Sequence, residues 1–299
     1  MLRQGESVVE FTPVRHEDTF VDAQGITVHY YSWKSAKPHG VVQLVHGLGE
    51  YASRHEPLIA RLVAAGYTVY ADDHRGHGQT GVEQTGGDLS KLGTLGPGGM
   101  RAVVRDVMQL TGIIRRENPD LPLALLGHSW GSFLAQWVLN RAPRNYDAVI
   151  LTGTAYRTLR RMNGGNLNAR HRHLGATGYE WLSRDPAVAE AALADPLVFT
   201  ANGLKLFGLA DSLRLLGRPA RRLPRGLPLL IQIGSDDTVG GPRSAELLAD
   251  SYRRRSGLSD VVLIVYPNAR HEIFNETNRD EVIADTLGWL DSRLGHASA

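Results

Sequence analysis

The chain has 299 residues, 42% of them hydrophobic and 21% charged, a composition that excludes the disordered and fibrous classes. Its 33 basic and 31 acidic residues leave a formal net charge of +2, so nothing favours a nucleic-acid partner. The absence of cysteine excludes disulfides, a thiolate nucleophile and a cysteine-based zinc site.

The first residues, MLRQGESVVEFTP, contain no apolar segment behind their early positive charge. No later run approaches the ~20 apolar residues that a membrane-spanning helix needs. We therefore expect a cytoplasmic protein. The basic residues are almost all arginine, which is typical of a bacterial source.

Short apolar runs alternate along the chain with segments of helical periodicity, a pattern that indicates a largely parallel sheet with crossover helices. The predicted strands are Val41–Val45, Tyr67–Ala71, Leu123–Leu126, Ala148–Thr152, Leu229–Ile233 and Val261–Tyr266. Helices are predicted over Glu56–Ala65, from Gly99 to about Glu117, and over Asp280–Leu294.

The alternation is interrupted between residues 155 and 222, where no run is strand-like. Asp185 is predicted to cap a helix that has Pro186 in its first turn. Apolar residues at every third position then predict one face of a second helix, namely Leu204, Phe207, Ala210, Leu213 and Leu216. We therefore expect a core formed by residues 1–154 and 223–299, with residues 155–222 as a helical insertion.

The sequence GHSWG places Ser129 between two glycines, after the apolar run LPLALL and before a helix-like segment. This is the G-x-S-x-G pattern of a nucleophile elbow, in which small neighbours permit a turn sharp enough to expose the serine hydroxyl. The alternative is a serine that only caps the helix. A nucleophilic serine also needs a base to take its proton and an acid to orient that base.

Residues suited to these two roles follow later predicted strands. Asp236 and Asp237 come directly after one strand, and His271 comes after the next. Because the carboxyl ends of parallel strands meet at one edge of a sheet, we expect these side chains near Ser129. The chain order Ser, Asp, His is the order of α/β-hydrolases.

Acyl transfer also needs donors for the oxyanion, which are usually backbone N–H groups. One is expected from Trp130, directly after the serine. The other is expected from Leu48 in VHGLGE, where Gly47 and Gly49 allow a tight turn. The alternative for this second segment is an ordinary glycine-rich turn.

Six other histidines lie in or beside predicted loops: His46, His74, His77, His128, His171 and His173. We expect His46 and His128 to hold loops together. The remaining two pairs raise the alternative of a metal site, but no third ligand stands at a recognisable spacing, and loop packing explains them equally well. We therefore expect no metal.

Together these motifs resemble the α/β-hydrolase superfamily, and within it the monoacylglycerol lipase and lysophospholipase-like branch. The segments that carry the resemblance are HGLGEYASRHEPLIARLVAAGYTVYADDHRGHGQT, LLGHSWGS, IGSDDTVGG and YPNARHEIFNET. The resemblance implies an α/β-hydrolase fold, with a mostly parallel central sheet flanked by helices and a helical cap inserted after the sixth strand. The insertion over residues 155–222 corresponds to that cap.

By position, the resemblance implies Ser129 as nucleophile, His271 as general base and Asp237 as the acid, with Asp236 as the alternative. It implies the N–H groups of Leu48 and Trp130 as the oxyanion hole. The chain departs from the pattern at Trp130, where many relatives carry methionine, and in VGGPRS, where they carry a proline soon after the valine.

The activity implied is that of a serine esterase in lipid metabolism that hydrolyses monoacylglycerol to glycerol and fatty acid through an acyl-enzyme. No cofactor is required. Because fold and triad do not fix the substrate, a carboxylesterase, lysophospholipase, thioesterase or acyltransferase remains an alternative. From a different class, a hydrolase-like binding protein without catalysis is a further alternative.

The cap carries more apolar residues than one buried face needs, which suits a surface that closes over an acyl chain. Candidate substrate contacts are Leu204, Phe207 and Leu213; the alternative is that both faces of the helix are packed. A cluster of arginines in the cap is more typical of a solvated face, with peripheral contact to an anionic membrane surface as the alternative: Arg157, Arg160, Arg161, Arg170 and Arg172. The expected partner is a small acyl ester or lipid, and no oligomeric state follows.

Overall fold

The structure is a computed structural model that describes residues 12–200 and 202–295. These residues contain eight strands: β1 (Arg15–Val21), β2 (Thr27–Trp33), β3 (Gly40–Val45), β4 (Tyr67–Asp72), β5 (Leu123–His128), β6 (Ala148–Thr152), β7 (Leu229–Gly234) and β8 (Val261–Tyr266). They form one sheet in the order β1-β2-β4-β3-β5-β6-β7-β8. The pairs from β4 to β8 are parallel, whereas β1 and β2 run antiparallel to their neighbours.

Helices connect most of the strands. They are α1 (Glu56–Ala64), α2 (Gly78–Gln84), α3 (Gly99–Glu117), α4 (Trp130–Leu139), α5 (Pro186–Ala194), α6 (Gly203–Arg214), α7 (Gly241–Ser251) and α8 (Arg279–Leu294). No helix in the described part of the chain is both long and apolar enough to cross a membrane. The predicted cytoplasmic location and bacterial source stay predictions.

The predicted parallel sheet with crossover helices is confirmed, and each predicted strand is present with its ends shifted by at most two residues. Sequence analysis missed β1 and β2. In β1, with the sequence RHEDTFV, only Phe20 is buried, because the strand lies at the edge of the sheet. In β2, with the sequence TVHYYSW, polar residues interrupt the apolar ones. Neither strand therefore has the continuous apolar run of a central parallel strand.

Two apolar clusters form the core, one on each face of the sheet. Adjacent residues of β3 divide between them, because successive side chains of a strand point to opposite faces: Val41 packs with α3 and α4, and Val42 with α1 and α8. All six residues of β3 are buried. The helices thus cover both faces and leave the carboxyl edge of the sheet for the functional loops.

The described residues between β6 and β7 hold α5 and α6 and no strand, as predicted. The Asp185 carboxylate accepts a hydrogen bond from the Ala187 N–H, which confirms the predicted cap of α5. The prediction of one continuous helical face in the second helix is wrong. Gly208, at φ 71° and ψ 176°, kinks α6, and α6 ends before Leu216. The boundaries of core and cap stay a prediction.

Candidate active site

Ser129 occupies a sharp turn between β5 and α4, with φ 52° and ψ −123°. Positive φ is unusual for a non-glycine residue and costs about 1–3 kcal/mol. The flanking glycines permit the turn. A Cβ on Gly127 would come within 2.7 Å of the Gly131 carbonyl oxygen, and one on Gly131 would collide with the carbonyl oxygens of Val45 and His46. The pattern G-x-S-x-G thus forms the strained turn that it predicts.

Hydrogen bonds hold this turn in place. The Ser129 N–H donates to the Thr152 carbonyl oxygen of β6 over 2.9 Å. The Ser129 carbonyl oxygen accepts from both the Ser132 N–H at 2.9 Å and the Ser132 hydroxyl at 2.6 Å. Both backbone polar groups of the strained residue are therefore paired, and the surrounding structure fixes the turn.

His271 and Asp237 form a buried pair. The Nδ1 atom of His271 lies 3.0 Å from Oδ2 of Asp237, and the two residues are 1% and 4% exposed. The other carboxylate oxygen accepts the Val239 N–H at 2.7 Å. Burial opposes a charge on His271, but the Asp237 carboxylate outweighs it, so that the pKa of His271 is raised above its ordinary value.

The other ring nitrogen of His271 is available for chemistry. His271 Nε2 is buried and has no hydrogen-bond partner among the described residues. His271 and Ser129 both line a cavity of about 540 Å³, which we call the Ser129 cavity. Asp236 lies elsewhere, in an ion pair with Arg170 at 3.0 Å. The structure thus brings Ser129, His271 and Asp237 together, and their catalytic roles remain predictions.

The loop after β3 approaches the serine closely. A Cβ on Gly47 would lie 2.9 Å from Cβ of Ser129, so only glycine fits this contact. Leu48 lines the Ser129 cavity, and Trp130 is the first residue of α4. The backbone N–H groups of Leu48 and Trp130 donate no hydrogen bond within the chain as far as it is described. Both predicted oxyanion donors are therefore unpaired.

Glu50 is a buried carboxylate in this loop that the sequence analysis did not single out. It accepts the Gly47 N–H at 2.5 Å, and its carboxylate lies 3.3 Å from Nε2 of His55. Burial raises its pKa, but the nearby His55 and His128 outweigh burial, and the pKa lies well below its usual value. Glu50 thus anchors the loop that carries Leu48.

The walls of the Ser129 cavity divide into two chemical kinds. Its apolar contributors are Leu48, Leu167, Tyr179, Trp181, Leu182, Val198 and Phe199. Its polar contributors include Glu50, Arg54, Asn166, Asn168, Thr177, Thr200, Asn202 and Glu272. Trp181 also packs on His271, with ring centroids 4.7 Å apart. Most of these residues come from the segment between β6 and β7.

The three predicted substrate contacts lie outside the lining of this cavity. Leu204 and Leu213 are 58% and 52% exposed. Phe207 instead stacks on Trp130, whose indole ring also stacks on His77. Their role in substrate binding stays a prediction without support from this geometry.

Several of the other histidines contact neighbouring loops or strand ends. Nδ1 of His46 lies 2.8 Å from the Gly47 carbonyl oxygen. Nε2 of His46 accepts a hydrogen bond from the His74 N–H at 3.0 Å. His128 lies 3.0 Å from the Thr152 hydroxyl. The contacts of His46 are as predicted, since they join the loops after β3 and β4, whereas His128 joins the ends of β5 and β6. Nδ1 of His74 lies 2.7 Å from the Asp72 carboxylate. Within residues 12–200 and 202–295, no group of three or more metal-binding side chains is assembled.

Known proteins resemble the chain over nearly all of its length. The family described as serine aminopeptidase, S33, matches residues 36–278. A monoacylglycerol lipase of Mycolicibacterium smegmatis is 33% identical over 94% of this chain and 98% of its own. A monoglyceride lipase of Mus musculus is 30% identical over 93% and 91%. The crystal structure of a thermostable carboxyl esterase from Bacillus coagulans in complex with glycerol superposes with a TM-score of 0.83 and 26% identity, over 94% of this chain and 99% of its own.

Proposed function

The chain belongs to the serine aminopeptidase S33 family and is an ester-hydrolysing enzyme of the monoacylglycerol lipase-like kind, and from this premise we propose that it hydrolyses monoacylglycerol to glycerol and a fatty acid. The α/β-hydrolase fold that the sequence predicts is confirmed. One observation carries the proposal: His271 is bonded through Nδ1 to Asp237, and its free Nε2 lies in the same cavity as the strained Ser129.

The proposed reaction proceeds through an acyl-enzyme. Nε2 of His271 takes the proton of the Ser129 hydroxyl as Oγ attacks the ester carbonyl carbon. The carboxylate of Asp237 holds the imidazole in the tautomer that accepts this proton and stabilises the imidazolium that forms. When the tetrahedral intermediate collapses, His271 gives the proton to the departing glycerol oxygen. Water then attacks the acyl-enzyme by the same steps and releases the fatty acid.

Charge develops on the carbonyl oxygen in both halves of the reaction. We assign its stabilisation to the unpaired N–H groups of Leu48, which lines the same cavity as Ser129, and of Trp130, which follows Ser129. The loss of one such donor costs about 3 kcal/mol in comparable sites. The hydrogen bond from Gly47 to Glu50 supports this role, because it fixes the peptide preceding Leu48.

The composition of the Ser129 cavity favours a monoacylglycerol. Such a substrate has a long apolar chain and a small head with two hydroxyl groups. The cavity offers apolar contact at Leu167, Trp181 and Phe199, and hydrogen-bonding groups at Asn168 and Thr200. Apolar walls contact the chain of a bound molecule, and polar groups at fixed positions orient its head.

A hydrolysis panel tests the substrate assignment. Monoacylglycerols, lysophospholipids, acyl thioesters and short p-nitrophenyl esters are compared by kcat/KM, with Ser129→Ala as the background. We expect the highest value for a monoacylglycerol. A higher kcat/KM for the short esters would refute the lipase assignment, although the esterase assignment would stand. A higher kcat/KM for lysophospholipids would mean that the preferred substrate carries a phosphate-containing head group.

We also propose peripheral contact with lipid interfaces through α6. Three of its leucines are more than half exposed, namely Leu204, Leu209 and Leu213. Cosedimentation with vesicles tests this contact, and the triple substitution of these leucines by serine is expected to reduce the bound fraction. Equal binding of the two proteins would contradict it.

The five cap arginines do not form one face, because Arg157 is buried and Arg170 pairs with Asp236.

A further inference from the structure

A second cavity of about 540 Å³ opens on the surface between the segment that follows β6 and the segment that follows α6. It is lined by residues 156–161 and 216–218 and by Leu247, and it shares none of these with the Ser129 cavity. Four of its lining residues are arginines, so we call it the arginine groove: Arg157, Arg160, Arg161 and Arg218. Nothing in the proposed reaction uses it.

Arg157 is the buried member of this set. Arg157 is only 2% exposed. Its guanidinium donates to Oε1 of Gln136 at 3.1 Å and to the Leu215 carbonyl oxygen at 3.0 Å. Both acceptors are neutral. No carboxylate in the described residues lies within ion-pair distance, and burial lowers the pKa of Arg157 to about 10. A buried charge without a counter-charge is costly, and proteins seldom retain one.

The other three arginines are also without carboxylate partners in the part of the chain that is described. Some other arginines are neutralised, for example Arg115 by Asp147 and Arg293 by Asp260, each at 2.8 Å. The arginine groove therefore concentrates positive charge that the protein itself does not balance. A planar guanidinium can bind a carboxylate or phosphate through two parallel hydrogen bonds.

Most of the accessible wall of the groove is apolar. Leu159 is 79% exposed and Leu247 is 38% exposed, and Leu216 lines the groove between the arginines. Exposed leucine side chains beside unneutralised cations complement a molecule that has an anionic head and an alkyl chain. A small inorganic anion would leave this apolar surface in contact with water.

We propose that the arginine groove binds a free single-chain anionic amphiphile, with its carboxylate on the exposed Arg160 and Arg218 and its alkyl chain on Leu159, Leu216 and Leu247. A fatty-acid carboxylate is the simplest member of this class. The proposal does not depend on the catalytic assignment, because binding requires neither Ser129 nor His271.

Isothermal titration calorimetry of the full chain with sodium octanoate, below the concentration at which octanoate forms micelles, tests the proposal. The variant Arg160→Gln/Arg218→Gln removes two exposed charges and leaves the buried Arg157 in place. We expect its affinity for octanoate to fall by about tenfold. The matched control, Arg116→Gln/Arg225→Gln, loses the same charge at exposed positions outside the groove and is expected to bind as the parent does. Equal Tm values establish that the variants are folded.

Two further titrants identify the chemistry that is bound. Octanol has the chain without the charge, and inorganic phosphate has the charge without the chain, so both are expected to bind more weakly than octanoate. If octanoate bound in the Ser129 cavity instead, the groove substitutions would not change its affinity. An unchanged octanoate isotherm in Arg160→Gln/Arg218→Gln would overturn the proposal, as would binding of octanol or phosphate as tight as that of octanoate.

Discussion

The indole ring of Trp130 stacks on the phenyl ring of Phe207, with centroids 5.4 Å apart and 28° between the ring planes. Trp130 directly follows Ser129, and Phe207 lies in α6, so this contact joins the nucleophile turn to the segment predicted as the cap. The Trp130 ring also stacks on His77, with centroids 5.3 Å apart. The three stacked rings fix the position of α6 over the Ser129 turn.

Removal of this stack is expected to loosen α6. Aromatic pairs contribute about 1 kcal/mol beyond their buried area, so Phe207→Ala is expected to speed amide hydrogen exchange in α6 by about fivefold. The control is Leu209→Ala in the same helix, because Leu209 is 67% exposed and loses little contact. Equal exchange in the two variants would show that the stack does not hold α6.

The two neighbouring aspartates are expected to differ sharply in function. Asp237 is bonded to His271, whereas Asp236 pairs with the exposed Arg170. We expect Asp237→Asn to lower kcat by about 10⁴-fold, because an amide cannot hold the imidazole in the required tautomer. Asp236→Asn is expected to change kcat by less than about threefold, since an exposed ion pair contributes little. Comparable losses in the two variants would contradict the assignment of the acid.

The pH dependence of kcat/KM is expected to report the His271–Asp237 pair. His271 acts as a base only when neutral, so activity rises as pH passes upward through its pKa. Asp237 raises that pKa above the ordinary value of 6.5, which places the midpoint of the acidic limb above 6.5. In Asp237→Asn the midpoint is expected to move to lower pH, and in Asp236→Asn it is expected to stay. An unmoved midpoint in Asp237→Asn would contradict this coupling.

The strain at Ser129 is expected to appear in the free energy of unfolding. Ser129→Gly relieves a φ of 52° that costs a non-glycine residue about 1–3 kcal/mol, while glycine adds back about 0.5–1 kcal/mol of backbone entropy. We expect a net gain of about 1 kcal/mol by urea denaturation, together with loss of activity. Ser129→Ala keeps the strain and is the control, expected to be less stable than Ser129→Gly. Equal stability of the two variants would mean that the turn is not strained.

The central part of the fold could be predicted because its strands are buried on both faces. All six residues of β3 and of β5 are buried, and such runs are recognisable without knowledge of their neighbours. The edge strand β1 buries only Phe20, so its sequence resembles that of a loop. Its existence depends on pairing with β2, which is a tertiary property.

The candidate site likewise contains residues that the sequence predicts and residues that depend on tertiary contacts. Ser129 lies in a local motif, and the positions of Asp237 and His271 follow from the ends of strands. Glu50 bonds to the loop beside Ser129, and Trp181 packs on His271, only because the fold brings these residues together. No local pattern predicts either contact. The prediction of one face for the second helix was wrong because periodicity alone does not register a kink at a glycine.

Covalent labelling with a fluorophosphonate, followed by peptide mapping, tests the central claim most directly. The folded protein is expected to carry one adduct, on Ser129, because its hydroxyl is activated by His271 and Asp237. His271→Ala is expected to react far more slowly at Ser129, while its Tm shows that it is folded. Absence of the adduct on Ser129, or equal labelling after His271→Ala, would contradict the account.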